Sequence, residues 1–353
     1  MYLKLKGGKY EEKMRKLTQF VLSIFDYLGQ YPQFTEKDFF SFLGMDGAWF
    51  EMCYRRRPKL RTLLGELAQE PVSLRKRLFE AMEKDVSYIA HMDEEAFRFA
   101  ESTLPSVILA KAAALTTYLY DEIFVKAEFQ VEGEQMNRIR FKREFYRVNF
   151  PPDQRDVCPV CLQASGRLRE NSQIDHFFPK AKYPALVFQP ENLPVICKEC
   201  NEADGKGQKD PMQDTDLTEL FLPYRRAAEE ETRMRIWLDG NGRHLQLVPT
   251  GGDGKVQKRI DNFDRLYQVS ACWNRQADQY LAECGRIAGN CGSTAEAEEE
   301  LRILAKNKRR MAARDKSQLI ESRCYDYMEG EGHSVFLDEC EKRLEEQRKL
   351  RQM

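Results

Sequence analysis

Apolar residues recur every three or four positions through most of the first 130 residues, which is the pattern of amphipathic helices. Residues 10–28 carry one such apolar face. Thr35 precedes an acidic turn that contains Glu36 and Asp38, and this combination is typical of a capped helix start. The pattern therefore predicts helices in this part of the chain.

Two longer helical segments follow. Residues 73–100 form one predicted helix, and Pro105 opens a segment, SVILAKAAALTTYLYDEIF, that is apolar nearly all round. A helix without a polar face is usually buried, so we expect this segment to be the centre of a core. Together these elements predict a helical N-terminal domain over residues 1–150.

Basic and aromatic residues alternate in the last part of this domain, residues 137–150. Such a mixture suits contacts with a nucleic-acid backbone. It equally suits an amphipathic element that packs its aromatic side chains and exposes its charges. Both interpretations stay open at this point. The candidate nucleic-acid contacts in this stretch are Arg138, Arg140, Lys142 and Arg143.

The C-terminal third combines a hairpin with helices. Two alternating runs flank a turn composition, Asp-Gly-Asn-Gly, that tolerates positive φ, and they predict a β-hairpin over residues 233–249. Residues 256–287 form one predicted helix. A Ser293-x-x-Glu296 capping box opens another predicted helix, which extends to residue 328. The hairpin and these helices make a predicted C-terminal domain over residues 224–353.

The composition limits the classes of protein to consider. The 353 residues are 42% hydrophobic and 32% charged, a balance that suits a globular protein of two or three compact units. No apolar run reaches the roughly 18 residues of a membrane span, so we expect none. The opening MYLKLKGGKYEEK lacks the apolar core of a secretory signal, so we expect a cytoplasmic protein with reduced thiols. Because the net charge is −1, any contact with nucleic acid would depend on local basic clusters.

Four of the ten cysteines form two C-x-x-C pairs, Cys158/Cys161 and Cys197/Cys200. Cysteines three positions apart can direct both thiolates to one point, and two such pairs supply the four ligands of a tetrahedral zinc site. Four thiolates leave no open position for water, so this zinc would be structural. The other six cysteines lack metal-ligand spacing and are interpreted as single thiols.

The segment that contains these pairs, residues 158–212, also carries polar residues in a fixed order. In chain order they are Asp175-His176, Asn192-Leu193, Asn201 and Lys206-Gly207. The whole segment resembles the zinc-stapled form of the HNH (ββα-metal) nuclease family. It departs from the family in one respect, because Lys206 lies five residues after Asn201 instead of three. This departure leaves open the length of the last helix and any phosphate contact by Lys206.

The resemblance implies an α+β chain in which a ββα-metal module, residues 151–223, lies between mostly helical N- and C-terminal domains. In this family the positions of Asp175 and Asn201 hold a catalytic divalent ion, and the position of Asn192 holds the loop that carries the base. Magnesium or manganese suits such oxygen ligands, since magnesium keeps several of its own waters. Lys180 and Lys182 follow at positions from which a phosphate could be reached.

His176 is the one histidine of this segment. Imidazole has the unperturbed pKa best suited to a general base near neutral pH, so His176 would deprotonate the attacking water. Neighbouring residues of a regular strand point to opposite faces. Asp175 and His176 can therefore act together only if the strand ends irregularly, and Pro179 is compatible with such an end.

These features predict a metal-dependent endonuclease whose substrate and partner is double-stranded DNA. The large helical flanks loosely resemble the HNH effectors of bacterial anti-phage and retron-linked systems, which implies a regulatory partner protein. Two alternatives stay open. The chain could be a zinc-stabilised nucleic-acid-binding or scaffolding module without catalysis, or it could cleave RNA with the same residues.

Overall fold

Helices make up 62% of the structure and are combined with small antiparallel sheets, so the chain has the α+β character expected from the sequence. The computed structural model describes residues 1–127, 129–202, 205–239 and 242–352. Within these residues the chain forms fifteen α-helices and three two-stranded sheets.

The N-terminal third is helical apart from one short hairpin. Its helices are α1 (Lys9–Gln30), α2 (Glu36–Phe42), α3 (Gly47–Arg56), α4 (Pro58–Ala68), α5 (Val72–Asp85), α6 (Ser106–Tyr118) and α7 (Arg138–Asn149). The hairpin pairs β1 (Phe129–Val131) with β2 (Glu134–Met136). Thr35 caps α2 by accepting the N–H of Asp38, and Asn137 caps α7 by accepting the N–H of Arg140.

The prediction of one helix over residues 73–100 is wrong. Helix α5 ends at Asp85, whose buried carboxylate accepts the N–H groups of Ala100 at 2.6 Å and Glu101 at 2.8 Å. These two hydrogen bonds fold the chain back on itself. Short 3₁₀ turns over Tyr88–His91 and Ala100–Thr103 therefore replace the second half of the predicted helix.

The apolar segment after Pro105 lies in the core along one face. Helix α6 buries Ile108, Ala112 and Leu115, whereas Val107 is exposed. The chain then continues as a π-helical turn over Leu119–Phe124. The aromatic side chains of this turn, Tyr120 and Phe124, are both buried. This turn brings Tyr120 to the site described below.

The central third is built from short elements around the four cysteines. These are α8 (Leu168–Asn171), β3 (Gln173–Ile174), β4 (Val195–Ile196) and α9 (Lys198–Asn201). β3 and β4 pair antiparallel, with Gln173 opposite Ile196 and Ile174 opposite Val195. Helix α9 follows β4 directly, so the local order is strand, strand, helix.

The predicted C-terminal hairpin is confirmed. The elements of this part are α10 (Ala228–Glu231), β5 (Thr232–Asp239), β6 (Gly242–Pro249), α11 (Gly254–Tyr267), α12 (Val269–Asn290), α13 (Thr294–Ala312), α14 (Leu319–Glu329) and α15 (His333–Gln352). β5 and β6 pair antiparallel, with Ile236 opposite Leu245. The predicted turn residues Gly240 and Asn241 lie outside the described residues. Ser293 caps α13 by accepting the N–H of Glu296, as the capping box predicts.

Two of the predicted C-terminal helices are each divided, which corrects the sequence prediction. Within residues 256–287, Gln268 adopts a left-handed φ of 52° and separates α11 from α12. The Asp264 carboxylate accepts the N–H of Ser270 at 2.8 Å and so caps the second helix. Within residues 293–328, Asp315 accepts the N–H of Ser317 at 2.9 Å and opens a 3₁₀ turn. A capping aspartate therefore accounts for each break.

One continuous cluster of buried apolar side chains extends through all three segments predicted as domains. The start of the chain takes part in this arrangement, because Tyr2 and Leu3 both donate their N–H groups to the Pro159 carbonyl at 3.0 Å. The core is shared across the predicted boundaries at residues 150 and 223, which stay a prediction. None of the described helices combines the length and the apolar character that a membrane crossing requires.

Candidate metal centre and active site

The four cysteines of the two pairs meet in a buried cluster. All four sulfur atoms lie within 4.8 Å of one another, and the Sγ atoms of Cys161 and Cys197 are 3.8 Å apart. Zinc–thiolate bonds of about 2.3 Å in a tetrahedral site place the sulfurs about 3.8 Å apart, whereas a disulfide needs about 2 Å. The cysteines are therefore close enough to bind a metal such as zinc.

Polar groups from two parts of the chain support this cluster. The N–H of Cys197 donates to Cys158 Sγ, and the N–H of Cys200 donates to Cys197 Sγ, both at 3.4 Å. Such bonds stabilise thiolates, which is the form that a metal binds. From α12, the buried Trp273 donates its Nε1–H to the Cys161 carbonyl at 2.9 Å. The C-terminal part of the chain thus packs directly on the thiol cluster.

Asp175 and His176 line a single cavity of about 340 Å³. They follow Ile174, the last residue of β3, and the Asp175 N–H still donates to the Pro194 carbonyl at 2.9 Å. The cross-strand bonds continue as far as the Phe177 N–H, which donates to the Asn192 carbonyl at 2.9 Å, and the adjacent residues Asp175 and His176 both line the cavity. Other side chains that line it are Tyr120, Asp121, Arg138, Gln173, Lys180 and Asn201.

The environment of His176 fixes which ring nitrogen carries the proton. Its Nε2 lies 3.1 Å from the Val187 carbonyl, and a carbonyl only accepts hydrogen bonds, so Nε2 carries the hydrogen. Nδ1 is then the nitrogen with the free lone pair. Burial, aided by the positive charge of Lys180, lowers the pKa of His176 to about 3. The imidazole is therefore neutral near pH 7 and can accept a proton through Nδ1.

Asp175 is buried and both of its oxygens have partners. Oδ1 lies 3.2 Å from the ammonium of Lys206, and Oδ2 accepts the hydroxyl of Tyr267 at 3.3 Å. Burial raises the pKa of Asp175, and the Lys206 charge opposes that rise. Lys206 is itself 1% exposed and also donates to the His176 carbonyl at 2.7 Å. Its charge thus acts on the Asp-His pair from inside the protein.

Asn192 holds the loop that carries His176. Its side chain is fully buried, accepts the N–H of Phe178 at 2.6 Å, and donates to the carbonyls of Phe178 at 3.1 Å and Leu186 at 2.9 Å. Leu186 precedes Val187, the residue whose carbonyl orients the imidazole. One amide therefore connects both ends of the segment that surrounds the histidine.

Asn201 ends α9 at the edge of the cavity. Its Nδ2 donates to Gln173 Oε1 at 2.5 Å, so its own carbonyl oxygen is the remaining acceptor. Gln173 belongs to β3, immediately across from β4. Asn201 and Asp175 thus line the same cavity from opposite sides of the strand pair.

The basic residues predicted as nucleic-acid contacts lie in different surroundings. Lys180 lines the cavity, is 2.6 Å from Asp121 Oδ1 and lies over the Tyr120 ring. Lys182 is paired with Asp210 and is not among the residues that line this cavity. Arg138 lines it and, together with Lys142 and Arg143, also lines a second cavity of about 390 Å³. Arg140 lines neither of these two cavities and donates to the Gln135 carbonyl at 3.4 Å.

Sequence reasoning missed Tyr267 and Trp273, which reach the site from the C-terminal part of the chain. Tyr267 contacts a residue 92 positions away, and Trp273 contacts one 112 positions away. Both are apolar-face residues of amphipathic helices, where an aromatic side chain usually signals only core packing. No local pattern distinguishes them from ordinary core residues.

Comparison of the chain with protein-family models, with curated proteins and with solved structures gives no match. Its function is therefore argued from the chemistry of the site. The site consists of a buried cluster of four thiols and a polar cavity. Asp175, the neutral His176, Arg138 and Lys180 all line this cavity.

Proposed function

We propose that the protein is a metal-dependent endonuclease that hydrolyses phosphodiester bonds of DNA with an HNH-type site. The observation that carries the proposal is the geometry of His176, which lines a cavity beside Asp175 with its Nε2–H held by the Val187 carbonyl at 3.1 Å. That arrangement presents Nδ1 as a base in a cavity that also contains a carboxylate, an amide oxygen and cations. A general base, oxygen ligands and positive charge are the groups that phosphodiester hydrolysis requires.

In this mechanism His176 activates the water. Its Nδ1 accepts a proton from the water as the water oxygen attacks phosphorus, and the bond to the leaving ester oxygen breaks. The resulting imidazolium keeps its Nε2–H bond to the Val187 carbonyl, so the ring does not reorient during the step. Arg138, which lines the cavity, attracts the negatively charged phosphate, whereas the charge of Lys180 is paired with Asp121.

In this proposal Asp175 and Asn201 would hold a catalytic divalent ion. Each carboxylate oxygen of Asp175 accepts one hydrogen bond and retains a further lone pair, and the Asn201 amide oxygen is a second donor. Two protein oxygens suffice for magnesium or manganese, because such an ion keeps several waters. When bound, the ion would stabilise the charge on phosphorus and on the leaving oxygen.

Zinc at the four cysteines would have a structural role in this proposal. Four thiolates complete a tetrahedral shell and leave no position for a substrate or a water. The elements around the cluster are very short, since β3 and β4 have two residues each and α9 has four. The binding energy of zinc would therefore replace the core that such elements cannot form by themselves.

The test is cleavage of supercoiled plasmid by the wild-type protein and by His176→Ala, with Mg²⁺ and without divalent ion, with RNA as a parallel substrate. We expect Mg²⁺-dependent nicking or linearisation by the wild type and a loss of at least about 100-fold in the variant. Zinc content and melting temperature are measured for both proteins, so that a misfolded variant is recognised. Binding of DNA without cleavage by either protein would instead support a zinc-stabilised binding module, and cleavage of RNA alone would change the substrate.

A further inference from the structure

We propose that the second cavity, beside the active site, binds a backbone phosphate that flanks the scissile one on the same nucleic-acid strand. This inference rests on the proposed nuclease function and deepens it, because it names a substrate contact outside the HNH-like segment. The cavity has a volume of about 390 Å³ and lies between α7 and the chain around α8. We call it the flanking-phosphate pocket.

The flanking-phosphate pocket carries more positive than negative charge. Arg138, Lys142, Arg143 and Arg169 line it, and Glu170 is the one acid among its lining residues. Arg169 is neutralised by Asp156, to which its Nε and Nη2 donate at 2.5 and 2.9 Å. The other three cations outnumber Glu170, so the pocket attracts an anion.

These three cations lack carboxylate partners within the part of the chain that the structure describes. Lys142 donates instead to two backbone carbonyls, those of Glu170 at 3.2 Å and Ser172 at 2.6 Å. Arg138 and Arg143 have no ion pair with a described acidic residue. Burial and the nearby charge of Arg138 lower the pKa of Lys142, which is the direction expected where positive charge is uncompensated. A bound phosphate would compensate it.

Part of the pocket is held in place by contacts within the protein. The Tyr146 ring is buried, and the Arg169 guanidinium lies 5.4 Å from the centre of that ring. The Lys142 ammonium is held by the carbonyls of Glu170 and Ser172, just before β3. These contacts reduce the cost of ordering Lys142 when an anion binds.

Continuity with the active-site cavity identifies the anion as part of a polynucleotide. Arg138 lines both cavities, so one arginine could contact a phosphate beside His176 and a second phosphate in the pocket. A repeating chain of phosphates is the ligand that fits two adjacent anion sites of this kind. Contacts of this type fix the register of the strand and carry no sequence information, so we expect them to be independent of base sequence.

The experiment compares Arg143→Gln with Arg140→Gln, two arginines of α7 that the sequence pattern treats alike. Arg143 lines the pocket and Arg140 does not, and each substitution removes one positive charge. Binding of a fluorescein-labelled DNA duplex is measured by anisotropy without divalent ion, over a range of salt concentrations and with two unrelated sequences. We expect Arg143→Gln to weaken binding about 5- to 10-fold on both sequences and to reduce the log–log salt slope by about 1. We expect Arg140→Gln to bind within about twofold of the wild type.

Three results would overturn the inference, and they differ in what else they affect. In the first, the wild type binds and cuts DNA, and Arg143→Gln binds with the same affinity and salt slope as the wild type. The pocket proposal then fails and the nuclease proposal stands. An equal loss in Arg140→Gln shows a general charge effect and also removes the pocket. If the wild type neither binds nor cuts DNA, the nuclease proposal and the pocket fail together. Melting temperatures of both variants serve as the control for folding.

Discussion

At the scale of single residues, burial favours the uncharged form of both Asp175 and His176. It raises the pKa of Asp175, and the Lys206 ammonium 3.2 Å away limits that rise. It lowers the pKa of His176, and the Lys180 charge adds to this effect, whereas the hydrogen bond to the Val187 carbonyl opposes it. The same pocket thus keeps the imidazole neutral and gives the neighbouring carboxyl a cationic partner.

In the proposed mechanism Tyr267 positions Asp175 through its hydroxyl, and Tyr267→Phe tests this role. The substitution removes the hydroxyl that donates to Oδ2 and leaves the ring to pack against Phe263. A hydrogen bond to a buried charged group contributes about 1.5–3 kcal/mol, so we expect a roughly tenfold or greater loss in the rate of cleavage. Because Asp175 would hold the divalent ion, we also expect the Mg²⁺ concentration for half-maximal rate to rise.

The Mg²⁺ dependence separates positioning from a purely structural effect of Tyr267→Phe. Tyr280→Phe in α12, whose ring does not line the active-site cavity, is the matched control. A change in melting temperature with an unchanged Mg²⁺ dependence would show that Tyr267 supports the fold alone. DNA binding without divalent ion should stay at the wild-type level.

Some residues of the site could be predicted from the sequence and others could not. Asp175, His176 and Asn201 lie near the two C-x-x-C pairs, so the order of motifs brings them to one place. Tyr267 depends on packing of a helix from a distant part of the chain. The basic residues of α7 form an intermediate case, because the sequence identifies the cluster but only the helix geometry separates Arg143 from Arg140.

At the scale of elements, the loop between β3 and β4 matters most, because it carries Asp175, His176 and the Val187 carbonyl that accepts from His176 Nε2. Asn192 makes three hydrogen bonds across this loop with Phe178 and Leu186. A buried side chain with several backbone bonds fixes the loop more firmly than local propensity can. Asn192 thus holds the Leu186 carbonyl, next to the Val187 carbonyl that accepts from His176 Nε2.

We expect Asn192→Ala to destabilise the protein by about 3 kcal/mol, since it removes three buried hydrogen bonds and leaves backbone groups unpaired. Cleavage should fall at least about tenfold even in the folded fraction, because the carbonyl that orients His176 is released. Urea denaturation and single-turnover cleavage measure the two effects. Asn149→Ala, which removes a partly exposed side chain bonded to Lys6 and Phe145, is the control. Full activity in a folded Asn192→Ala protein would contradict this role.

The elements with local signals could be predicted, and those without them could not. Thr35 and Ser293 cap helices as their sequence contexts indicate, and the β5–β6 hairpin follows from alternation around a turn. The break at Gln268 was missed because the apolar pattern continues through it. At that break the Asp264 carboxylate accepts the N–H of Ser270. Such a side-chain bond to the backbone competes with a continuous helix, and the apolar periodicity does not reveal it.

At the scale of the whole molecule, a buried acid connects three separate parts of the chain. Glu191, in the loop between β3 and β4, is 3% exposed in its side chain. Its Oε1 accepts hydrogen bonds from Arg15 of α1 and from Arg225, the latter at 2.6 Å. The N-terminal helices and the segment before α10 are thereby attached to the loop that surrounds His176.

Glu191→Gln tests this connection. Replacement of the buried acid removes one of two carboxylate partners, since Glu11 still lies 2.6 Å from Arg15 and 3.8 Å from Arg225, and the partial exposure of both arginines moderates the cost further. We therefore expect a loss of about 2 kcal/mol in the free energy of unfolding, measured with urea. Glu80→Gln, whose exposed carboxylate lies 3.9 Å from Lys76, should lose less than about 1 kcal/mol. Equal stability of the two variants would show that Glu191 does not hold the three parts together.

Imidazole rescue tests whether His176 acts as the base through a free Nδ1. Single-turnover cleavage of plasmid DNA is measured for zinc-loaded His176→Ala over a range of imidazole concentrations, with Mg²⁺ present. If His176 is the base, cleavage by the variant is lost and returns in proportion to the concentration of neutral imidazole, while the wild type is unaffected. Cleavage by His176→Ala at the wild-type rate without imidazole would show that His176 is not the base.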